Sequence, residues 1–407
     1  MNLHTSHPYW LLKNGFLFEY PSLRTDLRTD CLILGGGITG ALIAWHLAEA
    51  GVDAVVVDRR HIGMGSTCAS TCLLQYEIDT PLYRLATLVG EKKAARSYHL
   101  CIEAIRQLEE IARNLSVPAG FERRPSLYFA SRKADLEELS REYAMRRKHG
   151  IRVEQWSAED LADKFRFRAY GALYSPADGA QADAYALTHG LLQAARARGV
   201  QIFDKTCVTD VRHRARSVVL QTEHGPVITA RKLVIASGYE SYRYLEKNPV
   251  RLHSTYALVS EPYEADPLWH ENAMIWETAR PYLYLRTTTD RRVLVGGRDE
   301  PFRDPRRRDR LLTGKTRGLT RDFEKMFPAL APLRVDFSWA GTFAETRDGL
   351  PYIGTVPERP NTFFGLGFGG NGVTFSQIAA RIIRDAVLGK RNPDARIFSF
   401  ERTSQVF

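Results

Sequence analysis

Apolar and polar positions near the start of the chain form blocks with the lengths of a strand, a helix and a second strand. A short apolar run, 32–34, ends in glycines, and the segment 41–50 has the spacing of a helix. A second apolar run, 54–57, follows Gly51 and ends at Asp58. This pattern predicts a strand, a tight turn, a helix and a strand, which is a βαβ unit.

The turn of this unit carries a glycine motif, GxGxxG, with glycines at 35, 37 and 40. Gly35 permits the sharp turn, Gly37 lets the backbone approach a pyrophosphate, and Gly40 lets the helix pack on the strand. Asp58 lies where a carboxylate binds ribose hydroxyls. The unit therefore predicts a site for the ADP half of a dinucleotide; the alternative is a glycine turn in an ordinary α/β protein.

The pattern of the remaining chain alternates between helical and extended segments without internal repeats. The predicted elements are helices within 81–148, from 157 and over 184–198; strands at 126–131, 200–203, 207–211, 217–229 and 232–237; a strand-rich stretch over 251–300; a strand at 362–366; and a helix at 373–388. Helices mixed with many strands predict an α/β chain, and 407 residues are enough for two domains.

Composition narrows the class of protein. Hydrophobic content of 44% with 26% charged residues is typical of a soluble enzyme. No apolar stretch reaches the roughly 20 residues that span a bilayer, and the aromatic N-terminus lacks the pattern of a signal peptide. The odd number of cysteines, five, indicates reduced thiols and a cytoplasmic location. No spacing of residues predicts a metal site.

The net charge of +10 has two interpretations. The first is a solvated, arginine-rich surface, and the second is attraction to an anionic partner such as nucleic acid or an acidic substrate. The densest basic cluster, 303–310, contains interspersed acids and no aromatic residues of the kind that stack on bases. We therefore expect no nucleic-acid partner.

Further motifs follow the glycine loop in a characteristic order. They are Gly65-Ser66-Thr67; Ala236-Ser237-Gly238; Trp339-Ala340-Gly341 with Thr346-Arg347-Asp348-Gly349-Leu350-Pro351-Tyr352-Ile353-Gly354; and Gly369-Gly370-Asn371-Gly372-Val373-Thr374. Together with the glycine loop they resemble the motifs of the FAD-dependent oxidoreductases of the D-amino-acid oxidase superfamily, which includes glycine, sarcosine and γ-glutamylputrescine oxidases. The matches span about residues 30–390.

The resemblance implies a Rossmann-like, glutathione-reductase-like FAD-binding domain interleaved with an α+β substrate domain on an antiparallel or mixed sheet. The implied boundaries are 28–85, 155–245 and 336–407 for the FAD-binding domain, 86–154 and 246–335 for the substrate domain, and 1–27 for an N-terminal arm. The FAD-binding residues expected from the motifs are Gly35, Gly37, Ile38, Thr39, Gly40, Asp58, Arg59, Gly65, Ser66, Thr67, Val208, Ser237, Gly238, Gly341, Asp348, Gly370, Asn371, Gly372, Val373 and Thr374.

The resemblance also implies the reaction, the mode of flavin attachment and the kind of substrate. The family oxidises a C–N bond by hydride transfer to flavin N5. Flavin is expected to be noncovalent, because Cys68-Ala69 stands where the family's histidyl attachment would follow the Gly-Ser-Thr loop. A small amine or amino acid is the implied substrate, and the oligomeric state is not predicted.

Several family residues are replaced in this chain. Phe343 stands where relatives hold the substrate carboxylate with arginine, and Leu294 and Thr374 stand where the family has lysines. A simple α-amino acid held by that clamp is therefore doubtful. The expected replacements are Arg286, Tyr256 and Tyr284 as catalytic residues, with Arg280 and Tyr282 as further candidates. For each of them, a structural role is the alternative.

Two other functions remain open from the sequence. The basic charge would suit a flavoenzyme that modifies a tRNA base. The replaced arginine and lysines would suit an electron-transfer or non-catalytic flavoprotein subunit of a larger complex.

Overall fold

The computed structural model describes residues 1–5 and 7–402. The strands in this part of the chain are β1 (Leu27–Leu34), β2 (Ala54–Val57), β3 (Leu73–Leu74), β4 (Glu122–Phe129), β5 (Glu154–Trp156), β6 (Ala172–Gln181), β7 (Gln201–Phe203), β8 (Val208–His213), β9 (Val218–Thr222), β10 (Val227–Ile235), β11 (Arg251–Ser260), β12 (Met274–Glu277), β13 (Tyr284–Thr287), β14 (Val293–Pro301), β15 (Val335–Glu345), β16 (Tyr352–Gly354) and β17 (Thr362–Leu366). The α-helices are α1 (Tyr9–Asn14), α2 (Ile38–Glu49), α3 (Leu82–Val89), α4 (Glu91–Arg113), α5 (Leu136–Lys148), α6 (Ala158–Phe165), α7 (Ala184–Arg196), α8 (Pro305–Met326) and α9 (Gly372–Val387).

The first sheet contains the predicted βαβ unit. Its order is β16-β17-β10-β1-β2-β7, and β9 and β8 continue from β10. The pairs from β17 to β7 are parallel, so the carboxyl ends of β1, β2 and β10 meet at one edge. The strand order changes direction at β1, and such an edge is where open α/β sheets bind ligands.

The second sheet is mixed and larger. Its order is β15-β11-β14-β13-β12-β4-β6-β3, with β5 paired to β6. Most neighbours are antiparallel, and β12 with β4 is a parallel pair. The observed mixed α/β architecture confirms the predicted fold class, a Rossmann-like domain joined to a second domain on a mixed sheet.

The main core lies between the first sheet and the helices α2, α4, α7 and α9. α2 is buried along most of its length, since α7 and α9 pack on either side of it. A second core forms where α8 packs on β11, β14 and β15, around Leu319 and Phe323. Among the described residues, no helix is long and apolar enough to cross a membrane.

Sheet membership crosses the predicted domain boundaries at three strands. β3, β6 and β15 belong to the second sheet, whereas the ranges 28–85, 155–245 and 336–407 put them in the FAD-binding domain. β6 pairs with β4, and β15 pairs with β11 over ten residue pairs. Apolar patterning predicts that a segment is extended, but pairing partners decide which sheet it joins.

Candidate active site

The three motif glycines occupy different environments at the carboxyl end of β1. Gly35 has φ of 120°, and a Cβ there would lie 2.4 Å from the Ala236 carbonyl oxygen. A Cβ at Gly40 would lie 1.8 Å from the Gly35 carbonyl oxygen. Gly37 caps α2, and a Cβ there would meet Thr67 Oγ1 at 2.9 Å. The first two glycines thus let backbone segments touch, while Gly37 faces the cavity described below.

Asp58 ends β2 beside this turn. Its carboxylate accepts hydrogen bonds from the backbone N–H groups of Gly36 and Arg60, each at 2.8 Å. Burial raises the pKa of Asp58 above its usual value. The side chain lines the cavity, so the expected role toward ribose hydroxyls is compatible with its position.

A cavity of ≈ 280 Å³ opens over this edge of the first sheet. The predicted residues that line it are Gly35, Gly37, Ile38, Thr39, Asp58, Arg59, Gly65, Ser66, Thr67, Val208, Ser237, Gly238, Gly372 and Val373. Ser66 Oγ is buried and has no hydrogen-bond partner among the described residues. An unpartnered hydroxyl beside a helix N-terminus fits a phosphate oxygen. The residues present therefore fit the ADP half of FAD.

Four of the residues expected to bind FAD, Gly40, Asp348, Asn371 and Thr374, do not line either cavity. Gly40 packs against Gly35, and Thr374 is fully buried in α9. Asp348 is buried and held by Arg402, whose Nε and Nη2 donate to it at 2.8 and 3.0 Å. Asn371 donates its side-chain amide to two backbone carbonyls of the segment 75–77. Asp348 and Asn371 shape loops near the cofactor site, because their polar groups are already used internally. Thr374 Oγ1, in contrast, is buried without a hydrogen-bond partner among the described residues.

A second cavity, of ≈ 130 Å³, lies beside the first. The residues lining both cavities are Ser66, Ser70, Tyr239, Gly372 and Val373. Strands β11, β13, β14 and β15 form the other walls, and the predicted residues Gly341 and Gly370 lie there. The small cavity is therefore placed where a substrate would meet the end of a cofactor held in the large one.

The three residues expected to be catalytic have different positions. Tyr284 lines the small cavity. Tyr256 faces the opposite side of β11, where it packs with the α8 core, so its expected role is incorrect; its neighbours Thr255 and Ala257 line the cavity instead. The alternation of side chains along a strand explains the difference.

Arg286 also departs from expectation. It is 2% exposed and does not line the small cavity. Its guanidinium stacks on the Trp10 ring, 5.2 Å from the centroid, and donates to the Ala182 carbonyl oxygen at 3.0 Å. Burial lowers its pKa. The N-terminal segment that carries Trp10 covers this arginine, and apolar periodicity gave no sign of that contact.

Two residues that sequence reasoning missed carry charge at these cavities. Glu240 lines the large cavity and binds Arg59 and Arg60, whose Nη2 atoms donate to its carboxylate at 2.7 and 3.1 Å. Asp299 lines the small cavity. Neither lies in a recognisable motif: Glu240 follows the Ala-Ser-Gly turn, and a backbone irregularity directs Asp299 inward.

The cysteines near the site are packing residues. Burial raises the pKa of the Cys68 thiol and of the Cys72 thiol to about 12. Thiols with such values are not nucleophiles at neutral pH. No group of histidine, cysteine and acidic side chains suited to a metal ion occurs in residues 1–5 and 7–402.

The family of the chain follows from its sequence together with this site. The FAD dependent oxidoreductase family, DAO, matches residues 30–386. The chain belongs to this family. FAD is thus its cofactor, and the residues lining the large cavity fit its ADP half.

Relatives within the family resemble the chain over nearly its whole length. The glycine oxidase of Geobacillus kaustophilus (strain HTA426) is 26% identical over 392 residues, covering 92% of this chain and 97% of the relative. The gamma-glutamylputrescine oxidoreductase of Escherichia coli (strain K12) is 25% identical over 398 residues, covering 96% and 90%. The crystal structure of glycine oxidase from Geobacillus kaustophilus has a TM-score of 0.78 at 23% identity, covering 94% of this chain and 100% of that chain, which shows a shared fold.

Proposed function

We propose that this FAD-dependent oxidoreductase oxidises the C–N bond of a small amine or amino acid. The observation that carries the proposal is the pair of adjoining cavities, one with an unpartnered hydroxyl at Ser66 that suits a phosphate and one of ≈ 130 Å³ with a polar wall. A cavity of that volume admits a small molecule. The named relatives act on glycine and on a putrescine derivative, both of which contain C–N bonds.

Protein groups in the large cavity have separate tasks. Asp58 would accept hydrogen bonds from the adenosine ribose, Ser66 and the N-terminus of α2 would hold the pyrophosphate, and Val208 would pack near the adenine. Bound FAD supplies the hydride acceptor, flavin N5. The attachment is proposed to be noncovalent, because the thiols beside the cavities are protonated and packed.

The N-terminus of α9 lies where the two cavities meet. Gly372 begins this helix, and both Gly372 and Val373 line both cavities. The free N–H groups of a helix N-terminus favour negative charge. This end of α9 would stabilise the charge that the flavin ring gains when it accepts a hydride.

The alternatives receive no support from the comparisons or the site. The relatives act on small molecules by name, and no lysine, arginine or histidine lines the small cavity among the described residues. The proposed partner is thus a small amine substrate, without nucleic acid. A cytoplasmic location is proposed on the five free cysteines, which fit a reducing compartment.

Anaerobic reduction of the purified yellow protein tests the function before any electron acceptor is chosen. We expect flavin absorbance to bleach with at least one amine or amino acid, and the imine product to hydrolyse to a carbonyl compound and an amine or ammonia. The matched controls are 2-hydroxy acids and glycerol phosphate, which offer a C–O bond instead. Bleaching by those controls alone would overturn the proposal.

A further inference from the structure

The small cavity contains an acidic side chain that belongs to none of the sequence motifs. Asp299 is the charged side chain among the described residues that line it, and no arginine, lysine or histidine does so. The remaining walls include three tyrosines, Trp339 and Phe343. A ligand carboxylate would thus meet a like charge and no cation, whereas a ligand cation would meet an opposite charge and aromatic rings.

A backbone irregularity places Asp299 in this cavity. Along β14, Leu294 faces the side of the small cavity, so regular alternation would direct residue 298 there too. Instead, Gly297 and Arg298 have φ of 136° and 56°, and the pairing register with β11 shifts at this point. Arg298 consequently reaches Asp322 on α8, at 2.8 Å, and Asp299 lines the cavity. Bulges of this kind re-aim side chains next to active sites.

The carboxyl group of Asp299 is incompletely satisfied. Its Oδ1 atom is buried and has no hydrogen-bond partner in the described part of the chain. Burial raises the pKa of Asp299 to about 7, although a hydrogen bond from the Thr255 side chain opposes the shift. The titratable groups that face it from the surrounding elements are Asp79, Glu345, Lys315, Tyr282 and Tyr284. Lys315 is engaged elsewhere, since its Nζ donates to the Arg298 carbonyl oxygen at 2.8 Å.

We propose that Asp299 binds the ammonium group of the substrate and accepts a proton from it, and that the substrate is an amine without a carboxylate on the carbon next to nitrogen. The inference rests on the proposed C–N oxidation and names the substrate class of the same site. The unpartnered Oδ1 atom supplies the acceptor that an N–H of the ammonium requires. The aromatic side chains Tyr284 and Trp339 line the same cavity, and aromatic rings attract a cation.

The proton transfer balances without a further reactant. A substrate ammonium loses one proton to the Asp299 carboxylate, which leaves a neutral amine and a neutral carboxylic acid. The carbon beside a neutral amine can then release a hydride, since the nitrogen lone pair forms the new C=N bond. Water hydrolyses the resulting iminium to a carbonyl compound and the released amine or ammonia. The hydride acceptor is the family's FAD.

Matched pairs of substrates test the proposed substrate class, amines without an α-carboxylate. Holoenzyme is mixed anaerobically with benzylamine or phenylglycine, and with putrescine or ornithine, so that each pair differs by the α-carboxylate. We expect an amine to bleach the flavin at least tenfold faster than its amino-acid counterpart. Faster reduction by the amino acids would overturn the inference and leave C–N oxidation standing. Absence of reduction by every amine and amino acid would instead overturn the proposed function.

Substitutions test whether Asp299 binds the ammonium group of the substrate. Asp299→Asn keeps the shape and removes the charge, and we expect the dissociation constant of benzylamine to rise about 10–100-fold, the range for hydrogen bonds to charged groups. Asp163→Asn is the control, because Asp163 is an exposed carboxylate on α6 that lines neither cavity. An unchanged dissociation constant in Asp299→Asn would overturn the assignment.

A ligand that cannot react gives a readout independent of turnover and of the variant's folding. Benzyltrimethylammonium should perturb the visible spectrum of the oxidised holoenzyme, and benzoate should not. In wild type the perturbation should strengthen as pH rises through the pKa of Asp299, about 7, because the deprotonated carboxylate binds the cation. Binding of benzoate instead of the cation, or cation binding that does not change between about pH 6 and 8, would contradict the inference.

Discussion

The glycines of the cofactor loop differ in what a side chain would meet at each position. At Gly40 the obstacle is the Gly35 carbonyl oxygen, 1.8 Å from where a Cβ would stand, and backbone cannot move aside cheaply. At Gly37 the obstacle is Thr67 Oγ1 at 2.9 Å, which belongs to a rotatable side chain. Folding and cofactor binding can thus be separated by two substitutions in one motif.

We expect Gly37→Ala to fold and to lose FAD, because the added methyl group enters the path of the pyrophosphate. Gly40→Ala should fail to fold. Gly314→Ala in α8 is the control, since nothing lies within 4 Å of its Cβ position, and it should gain about 0.5–1 kcal/mol of stability. The flavin-to-protein absorbance ratio and thermal melting check these outcomes. Normal flavin content in Gly37→Ala would show that the phosphate lies elsewhere.

The side chain of Leu294 bears on the rate at which reduced flavin reacts with oxygen. Electron transfer to O₂ forms superoxide, which a nearby cation stabilises. Leu294 is fully buried beside Trp339 and Ala257, which line the small cavity, and no cation lines that cavity among the described residues. We therefore expect slow reoxidation by O₂ and faster reoxidation by an artificial acceptor, as in a dehydrogenase.

Stopped-flow mixing of photoreduced enzyme with oxygenated buffer measures this reaction. Leu294→Lys should raise the rate constant and Leu294→Met should not, because methionine keeps the volume without charge. A wild-type rate constant far above that of free reduced flavin would contradict the dehydrogenase behaviour.

At the scale of elements, the loop that follows β3 fixes the start of α9. Asn371 donates its side-chain amide to the Gln75 and Glu77 carbonyl oxygens, at 3.0 and 2.8 Å. Two residues further along, Asp79 accepts the backbone N–H of Gly370 at 2.8 Å. The segment 75–79 thereby holds the helix N-terminus against both cavities.

Asn371→Ala should deprive the buried Glu77 carbonyl and the part-buried Gln75 carbonyl of their donor and lower the free energy of unfolding by about 1–3 kcal/mol. We also expect weaker FAD binding, because the start of α9 loses its support. Urea denaturation and flavin titration measure the two effects. Asn114→Ala is the control, since its side chain makes one exposed hydrogen bond at the end of α4. Equal effects of the two substitutions would contradict the supporting role of Asn371.

The sequence predicted elements where local chemistry determines them, and failed where packing does. The capping box of Ser157 and Asp160 is present, and β2 has the predicted bounds. α2 begins at Ile38, three residues before the predicted start, because Gly37 serves as its cap. α8 was not predicted: its exposed face is so rich in arginine that only sparse positions such as Leu319 and Phe323 mark the buried side.

The residues of the site, like the secondary-structure elements, could be predicted in part from the sequence. Motif spacing located part of the lining of the large cavity, including Gly35, Gly37 and Gly238, because those residues act through the backbone. Tyr256 and Asp299 could not be placed correctly, since the register shift between β11 and β14 decides which side chains face the cavity. A shift of one residue exchanges the two faces of a strand.

For the whole molecule, FAD would join the two sheets. The large cavity lies over β1, β2 and β10 of the first sheet, and the small one is walled by strands of the second. A ligand that binds the folded state alone stabilises it by about 2.7 kcal/mol at a hundred times its dissociation constant. Removal of FAD should therefore lower the melting temperature, and added FAD should restore it.

Acid precipitation should release all flavin to the supernatant, as noncovalent binding requires. ADP should restore part of the melting temperature of the apoprotein and riboflavin should restore less, because the polar contacts are concentrated in the large cavity. A yellow acid pellet would contradict noncovalent attachment, and equal rescue by riboflavin would contradict the assignment of the cavities.

The parallel pair of β1 and β10 joins residues about 200 positions apart, and β17 adds to β10 later still. Gly35 rests on Ala236, so the cofactor turn lacks one of its walls until the ribosome has made β10. At about 5–20 residues per second that interval is about 10–40 s. During it the apolar βαβ segment is exposed without its partner strand. FAD consequently binds late in the synthesis of the chain. Chaperones therefore have their longest access to this enzyme before FAD binds.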